Sequence, residues 1–171
     1  MNSSEGNLTQ SKNVLEMITV AHEFCLFIEK VESYAQEDVL NYFQKIIPLL
    51  YLKGSLLPEI EVSDDSYLER FVTAETWEII FNDLRNKLKL LDEYWVLEQK
   101  DDNEASKASI AENLTDTYQD LKDFVILYTK NTQTARENAI HECKMHFETH
   151  WGNRLLSALK AIHLIKFNTQ R

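Results

Sequence analysis

The sequence predicts an all-α protein, a single-domain antiparallel bundle of five or six helices. Three observations carry this. Apolar residues recur at spacings of three and four in five segments, the period of one helix face. Only 3 Gly and 2 Pro serve all the turns of 171 residues, too few for an all-β chain of this size. Helix-start signals, Ser or Thr followed three residues on by Glu, stand before two of the seams. The predicted organisation is a polar, disordered tail over 1–11, a bundle domain over 12–167 and a short C-terminal tail over 168–171.

The first helix is predicted over 12–33. Val14, Ile18, Ala21, Cys25 and Ile28 form its seam, and Met17, Val20, Phe24, Phe27 and Val31 widen it. The second is predicted over 36–57, on Val39, Phe43, Ile46, Leu50 and Leu57. Pro48 lies inside it and removes a hydrogen bond to the carbonyl of Gln44, which predicts a kink. Gly54 falls on the seam side, where a missing side chain lets a neighbour approach. An acidic loop is expected over 59–71. The third helix starts at Thr73 as N-cap, with Val72 and Trp77 placed as a hydrophobic staple, and continues on Ile80, Leu84, Leu88 and Leu91. Residues 94–97 read as an apolar patch tucked under the bundle, and 98–108 as a charged loop.

The fourth helix, 109–128, is the cleanest and is predicted to run through the middle of the bundle. Ile110, Leu114, Thr117, Leu121, Phe124 and Tyr128 form one face, and Ser109 with Glu112 makes a capping box. Glu112, Asp116, Gln119, Asp120 and Asp123 lie about 180–280° round from Ile110, which predicts a solvent face. Tyr118 sits at the apolar edge, able to bury its ring and keep its hydroxyl wet or bonded. A turn at 131–134 leads to a second capping box, Thr134 with Glu137. The last helical region is read as one long helix to about Phe167, on Ile140, Cys143, Phe147, Trp151, Leu155, Leu159 and Ile162, with Gly152 as a place to bend. Trp151 is expected in the core.

Net charge is −10 and uneven. Residues 92–120 hold nine acids against two lysines, and 59–78 seven acids against one arginine. Residues 153–171 hold four basic residues and no acid. This balance argues against direct nucleic-acid binding, which needs a basic face, and against an anionic membrane surface. The longest apolar run, 46–52, has seven residues, far short of the roughly 20 that span a bilayer. Two Cys give no disulfide framework, and the first residues show no signal-peptide pattern, so a cytoplasmic protein with reduced thiols is expected.

Three stretches, LLYLKGSLLPE (49–59), YQDLKDF (118–124) and ECKMHFETHWGNRLLSALKAIH (142–163), resemble a family of small bacterial helical proteins known only as a domain of unknown function. The likeness spans about 14–167. It implies a helical bundle in a bacterial cytoplasm and carries no implication about activity, because none is established for the family. Through a 3′–5′ exonuclease encoded near its members, it points to such a protein as a partner. His22, His141 and His150 are not part of the family pattern.

Motifs for chemistry are sparse. Glu-x-x-His of di-iron bundles is absent, and His141-Glu142 is followed by His146 one residue too late for a zinc-protease helix. No glycine-rich phosphate loop or serine-nucleophile motif occurs. His22-x-x-Cys25 and Cys143-x-x-His146 are the one metal arrangement the spacing allows, a Cys2His2 set if the two helices face each other. Both Cys lie on apolar seams, where a thiol simply fills space. His146 with His150, one turn apart, reads as surface histidine. No cofactor is expected. The reading is therefore a non-enzymatic interaction module that binds a basic or nucleic-acid-handling protein through Glu112, Asp116, Asp120, Asp123 and Tyr118. On that reading, neutralising the four acids leaves the fold intact. The alternative is a bundle that binds a metal or small ligand through His22, Cys25, Cys143 and His146 and could carry a hydrolytic activity.

Overall fold

The structure is a computed structural model and describes residues 7–97 and 105–168. Five helices dominate it. They are α1 (Lys12–Ile28), α2 (Gln36–Ser55), α3 (Ala74–Leu88), α4 (Ile110–Thr129) and a last helix that runs unbroken over 133–167. Two regular halves of that helix, α5 (Gln133–His146) and α6 (Gly152–Phe167), join through a π-helical turn, Phe147–Trp151. The protein is mostly helical but not all-α. Glu93–Leu97 (β1) and Ala105–Ser109 (β2) pair as an antiparallel hairpin, Glu93 opposite Ser109 and Leu97 opposite Ala105. The apolar patch and the end of the charged loop expected there are these strands.

α4 is the middle element and packs against α1, α3, α5 and α6. Fourteen of its twenty residues are buried, so it has no broad solvent side. Its start is fixed twice. Ser109 Oγ accepts from the Glu112 amide as the capping pattern requires, and Asp92 accepts from the Ala111 amide at 2.7 Å and from Ser109 Oγ at 2.8 Å. Asp92 is buried at that helix start, where the dipole favours a carboxylate.

The other seams land largely as their spacing requires, with Ile18 of α1 and Ile46 of α2 only half-buried and Ile47 buried in place of the latter. Val14, Met17, Ala21, Phe24, Cys25 and Ile28 of α1 are buried. Ile80, Leu84 and Leu88 are buried in α3, and Thr73 caps it by accepting from the Thr76 amide. α1 ends five residues earlier than expected, and Val31–Ser33 forms a separate 3-10 turn. α2 continues through Pro48. The α5 cap is Thr132, which accepts from the Ala135 amide, and not Thr134. Glu137 is turned away and accepts from Ser63.

The expected disordered tail also needs correction at its inner end. Leu8–Gln10 forms a 3-10 turn, Thr9 is buried, and its carbonyl accepts from the Tyr128 hydroxyl at 2.8 Å. Positions 1–6, 98–104 and 169–171 lie outside the described residues.

The π turn explains the last seam. Cys143, Phe147, Trp151, Leu155 and Leu159 are four successive steps of four. In an α-helix each step overshoots a full turn by about 40°, so the stripe would drift about 160°. A π turn takes up one extra residue and keeps the stripe on the core side. Gly152 makes it possible: a Cβ there would sit 2.4 Å from the Phe147 carbonyl oxygen, which the Gly152 amide bonds. Gly54 on α2 plays the matching part across the interface. Its bare Cα admits the Trp151 indole, since a Cβ would lie 2.4 Å from Trp151 Cη2.

Candidate functional site

The acids of α4 do not face water. Glu112 is exposed, but Asp120 and Asp123 are buried and Asp116 is half-buried. They face α5, the π turn, α6 and the loop before α3. Asp116 accepts from Trp77 Nε1 at 3.0 Å and pairs with Arg154 at 3.2 Å. Asp120 Oδ2 meets His150 Nδ1 at 2.6 Å, and its Oδ1 lies 3.6 Å from His146 Nδ1 and 3.5 Å from Arg70. Asp123 Oδ1 accepts from the amides of Phe71 and Val72 at 2.8 and 2.9 Å, which pins the loop entering α3. Arg70 Nη2 lies 3.1 Å from His146 Nε2. A guanidinium only donates, so Nε2 accepts and the ring proton sits on Nδ1, toward Asp120.

This is a polar seam turned inward. Two stripes with a spacing of four meet antiparallel: Asp116 and Asp120 on one helix, His146, His150 and Arg154 on the other. The expected solvent face therefore needs correction at Asp116, Asp120 and Asp123. Tyr118 buries its ring as its place at the apolar edge implies, and its hydroxyl donates to Glu29 at 2.9 Å, which leaves it little open surface for the partner contact expected of it. Burial pushes its phenol pKa up. Of the predicted partner-binding residues, Glu112 is the one left open to water. Sequence reasoning missed Arg70, Arg154 and Trp77 as counter-groups. The stripe 142, 146, 150, 154, set against 112, 116, 120, was the signal that could have found Arg154 and both histidines.

Asp123 Oδ2 is a buried carboxylate oxygen with no hydrogen-bond partner, and Arg70 stands at 3.7 Å. Burial pushes the Asp123 carboxyl above its usual range, against the Phe71 and Val72 amides and Arg70, which pull it down. The folded pKa thus exceeds the unfolded one, about 3.9. Between those two values the native state holds more protons, so this group's contribution to stability falls as pH rises through the window. Asp123→Asn has no such proton. Its stability relative to wild type should therefore rise between about pH 4 and pH 7. Urea midpoints of both proteins at the two pH values check this, and a constant difference contradicts it.

The Cys2His2 set is not brought together. His22 is exposed on α1 while Cys25 is buried three residues on. Both thiols are buried, and burial pushes their pKa values up, away from the thiolate that a metal needs. Among the described residues no group of three or more His, Cys, Asp or Glu could hold a metal ion. No described helix is long and apolar enough to cross a membrane.

A second feature was not foreseen. A groove of about 720 Å³ runs between β1 and α6. Leu90 is 97% exposed, Leu97 74% and Trp95 69%, and Leu164 on the α6 wall is also exposed. Lys89, next to Leu90, has φ of 55° and ψ of −125°, a strained conformation for a residue with a side chain. Lys107 lies over the Trp95 ring and pairs with Glu93 at 2.8 Å, and Lys160 stands exposed on the α6 wall.

The comparisons with known proteins agree with this fold. The model of the family described as "Domain of unknown function (DUF5063)" matches residues 9–168. The crystal structure of protein BF1032 from Bacteroides fragilis is similar, with a TM-score of 0.85 and 36% identity, covering 94% of this chain and 96% of that one. None of the curated proteins matches the chain. With nearly its whole length matched, the chain belongs to the DUF5063 family, a domain of unknown function.

Proposed function

We propose that the protein is a non-enzymatic interaction module that takes a segment of a partner protein into the groove between β1 and α6. One observation carries the reading: large exposed apolar side chains, Leu90, Trp95, Leu97 and Leu164, gather around one groove. Single exposed leucines are ordinary, but a cluster with an aromatic anchor is the usual mark of a docking surface. Backbone strain at Lys89 adds to it, because it holds Leu90 outward at a cost of about 1–3 kcal/mol.

Charge describes the occupant. The chain carries −10, yet residues 153–171, which include the α6 wall, carry four basic residues and no acid. Lys160 forms no ion pair among the described residues. An apolar segment carrying carboxylates fits this wall. The docking side thereby moves from the acidic face of α4, whose carboxylates are engaged internally, to the opposite kind of surface.

The test is a double variant, Trp95→Ser with Leu164→Gln, both at exposed positions where the loss of stability should stay within about 0.5 kcal/mol each. Binding to a partner identified from the native host is measured with both proteins purified. The double variant should lose at least tenfold in affinity at unchanged thermal midpoint, and Glu112→Gln should lose nothing. Equal binding by the double variant and wild type removes the groove from consideration.

A further inference from the structure

We infer that the occupant enters the groove as an extended segment and adds to β1 as a third strand. This rests on the reading of the groove as the docking surface and goes beyond it. All five residues of β1 line the groove and none of β2 does. Along β1, Tyr94 and Val96 are half-buried, while Glu93, Trp95 and Leu97 are exposed, so side chains from both faces of the strand border the same space. A space bordered by both faces of a strand runs along its edge.

That edge is open. Among the described residues β1 pairs with β2 alone, so its other side presents backbone N–H and C=O groups along five residues, about 17 Å. Edges are ordinarily blunted by proline, a bulge or an inward-pointing charge. Here there is no proline, the register runs through five consecutive pairs without a bulge, and the one charge, Glu93, is tied to Lys107. The far wall suits a strand as well. Ser157 and Ala161 on it are small, Leu164 offers an apolar contact and Lys160 a cation. Main-chain bonds to β1 supply affinity, and alternate side chains supply choice. The partner segment accordingly has large apolar residues at every second position and a carboxylate placed to reach Lys160.

A displayed library of random twelve-residue peptides, selected on the full chain and counter-selected on the Trp95→Ser/Leu164→Gln variant, tests this. Selected peptides should carry large apolar residues at every second position and a carboxylate between them. On binding one of them, the β1 amides that exchange freely in the unbound protein should slow at least tenfold. Methylating alternate backbone nitrogens of the peptide should weaken it at least tenfold, and Lys160→Gln should weaken it severalfold. Binders with apolar residues every three to four positions that leave β1 exchange unchanged overturn strand addition and leave the groove reading standing. A concentration-dependent dimer that the double variant abolishes makes a second copy the occupant and overturns the partner segment. Failure to select any groove-dependent peptide overturns both readings.

Discussion

Trp151→Ala should lower the unfolding free energy by about 3–5 kcal/mol, the range for emptying a large core aromatic. Trp151 is fully buried and is the largest such side chain. It packs edge-on against Phe147 at 4.8 Å between centroids and lies over the bare Cα of Gly54. Its Nε1 donates to the Cys143 carbonyl, which also accepts from the Phe147 amide, so truncation leaves no orphaned acceptor there. The loss is therefore mainly transfer and cavity. Urea unfolding at constant slope measures it, and a loss below about 1 kcal/mol is incompatible with this packing. A cycle with Gly54→Ala locates the contact. Alone, Gly54→Ala gains about 1 kcal/mol of helix propensity but drives a methyl against the indole, so it destabilises. In the Trp151→Ala background that clash is gone and only the contact with Phe147 remains. The two changes should couple by about 1 kcal/mol or more.

Much of the frame was legible because helix seams obey one period. The caps at Thr73 and Ser109, the buried Trp151 and the close approach at Gly54 follow from residue type and spacing. The hairpin was not legible. Ala105–Ser109 reads ASKAS, without strand character, and becomes a strand only by pairing with Glu93–Leu97. The α5 cap slipped by two residues because Thr132 and Thr134 are equivalent by type, and Glu137, which favoured Thr134, is drawn to Ser63. The π turn left a trace in four successive steps of four, a period too slow for an α-helix, but the stretch reads in the sequence as one long helix with a place to bend at Gly152. The acidic face was placed at the correct angle on α4 and given the wrong surroundings. An angle around a helix gives direction relative to one seam, and a helix with neighbours on most sides has no solvent direction opposite it. The thiols behaved as apolar seam positions do, and the groove escaped notice because Leu90, Trp95 and Leu97 lie outside any helix period.

Asp120→Asn should cost about 2–3 kcal/mol, somewhat under the 3–5 typical of removing one partner from a buried pair, because two of its three partners reach water. The Asp120 side chain is 5% exposed, while His150 and Arg70 are 37% and 52% exposed. The amide keeps the volume of the carboxylate but sets an N–H₂ group against His150, His146 or Arg70, all of which offer donors to Asp120. The rotamer that spares one leaves another facing a donor. Glu112→Gln, at the exposed end of the same stripe, should change stability by no more than about 0.5 kcal/mol. The four-fold change of Glu112, Asp116, Asp120 and Asp123 to amides, expected from the sequence to leave the fold intact, should instead destabilise by several kcal/mol. A cycle of Asp120→Asn with His150→Gln should show a coupling of about 1–2 kcal/mol. Salt separates an internal seam from an outward one. Screening shortens from about 10 Å at 0.1 M to about 3 Å at 1 M for exposed charges and acts much less on buried pairs. The Asp120→Asn loss should therefore persist at 1 M salt. If instead Asp120→Asn and Glu112→Gln shift the urea midpoint equally little at both salt concentrations, Asp120 is not held by the last helix, and the α4 carboxylates are free for an external basic partner.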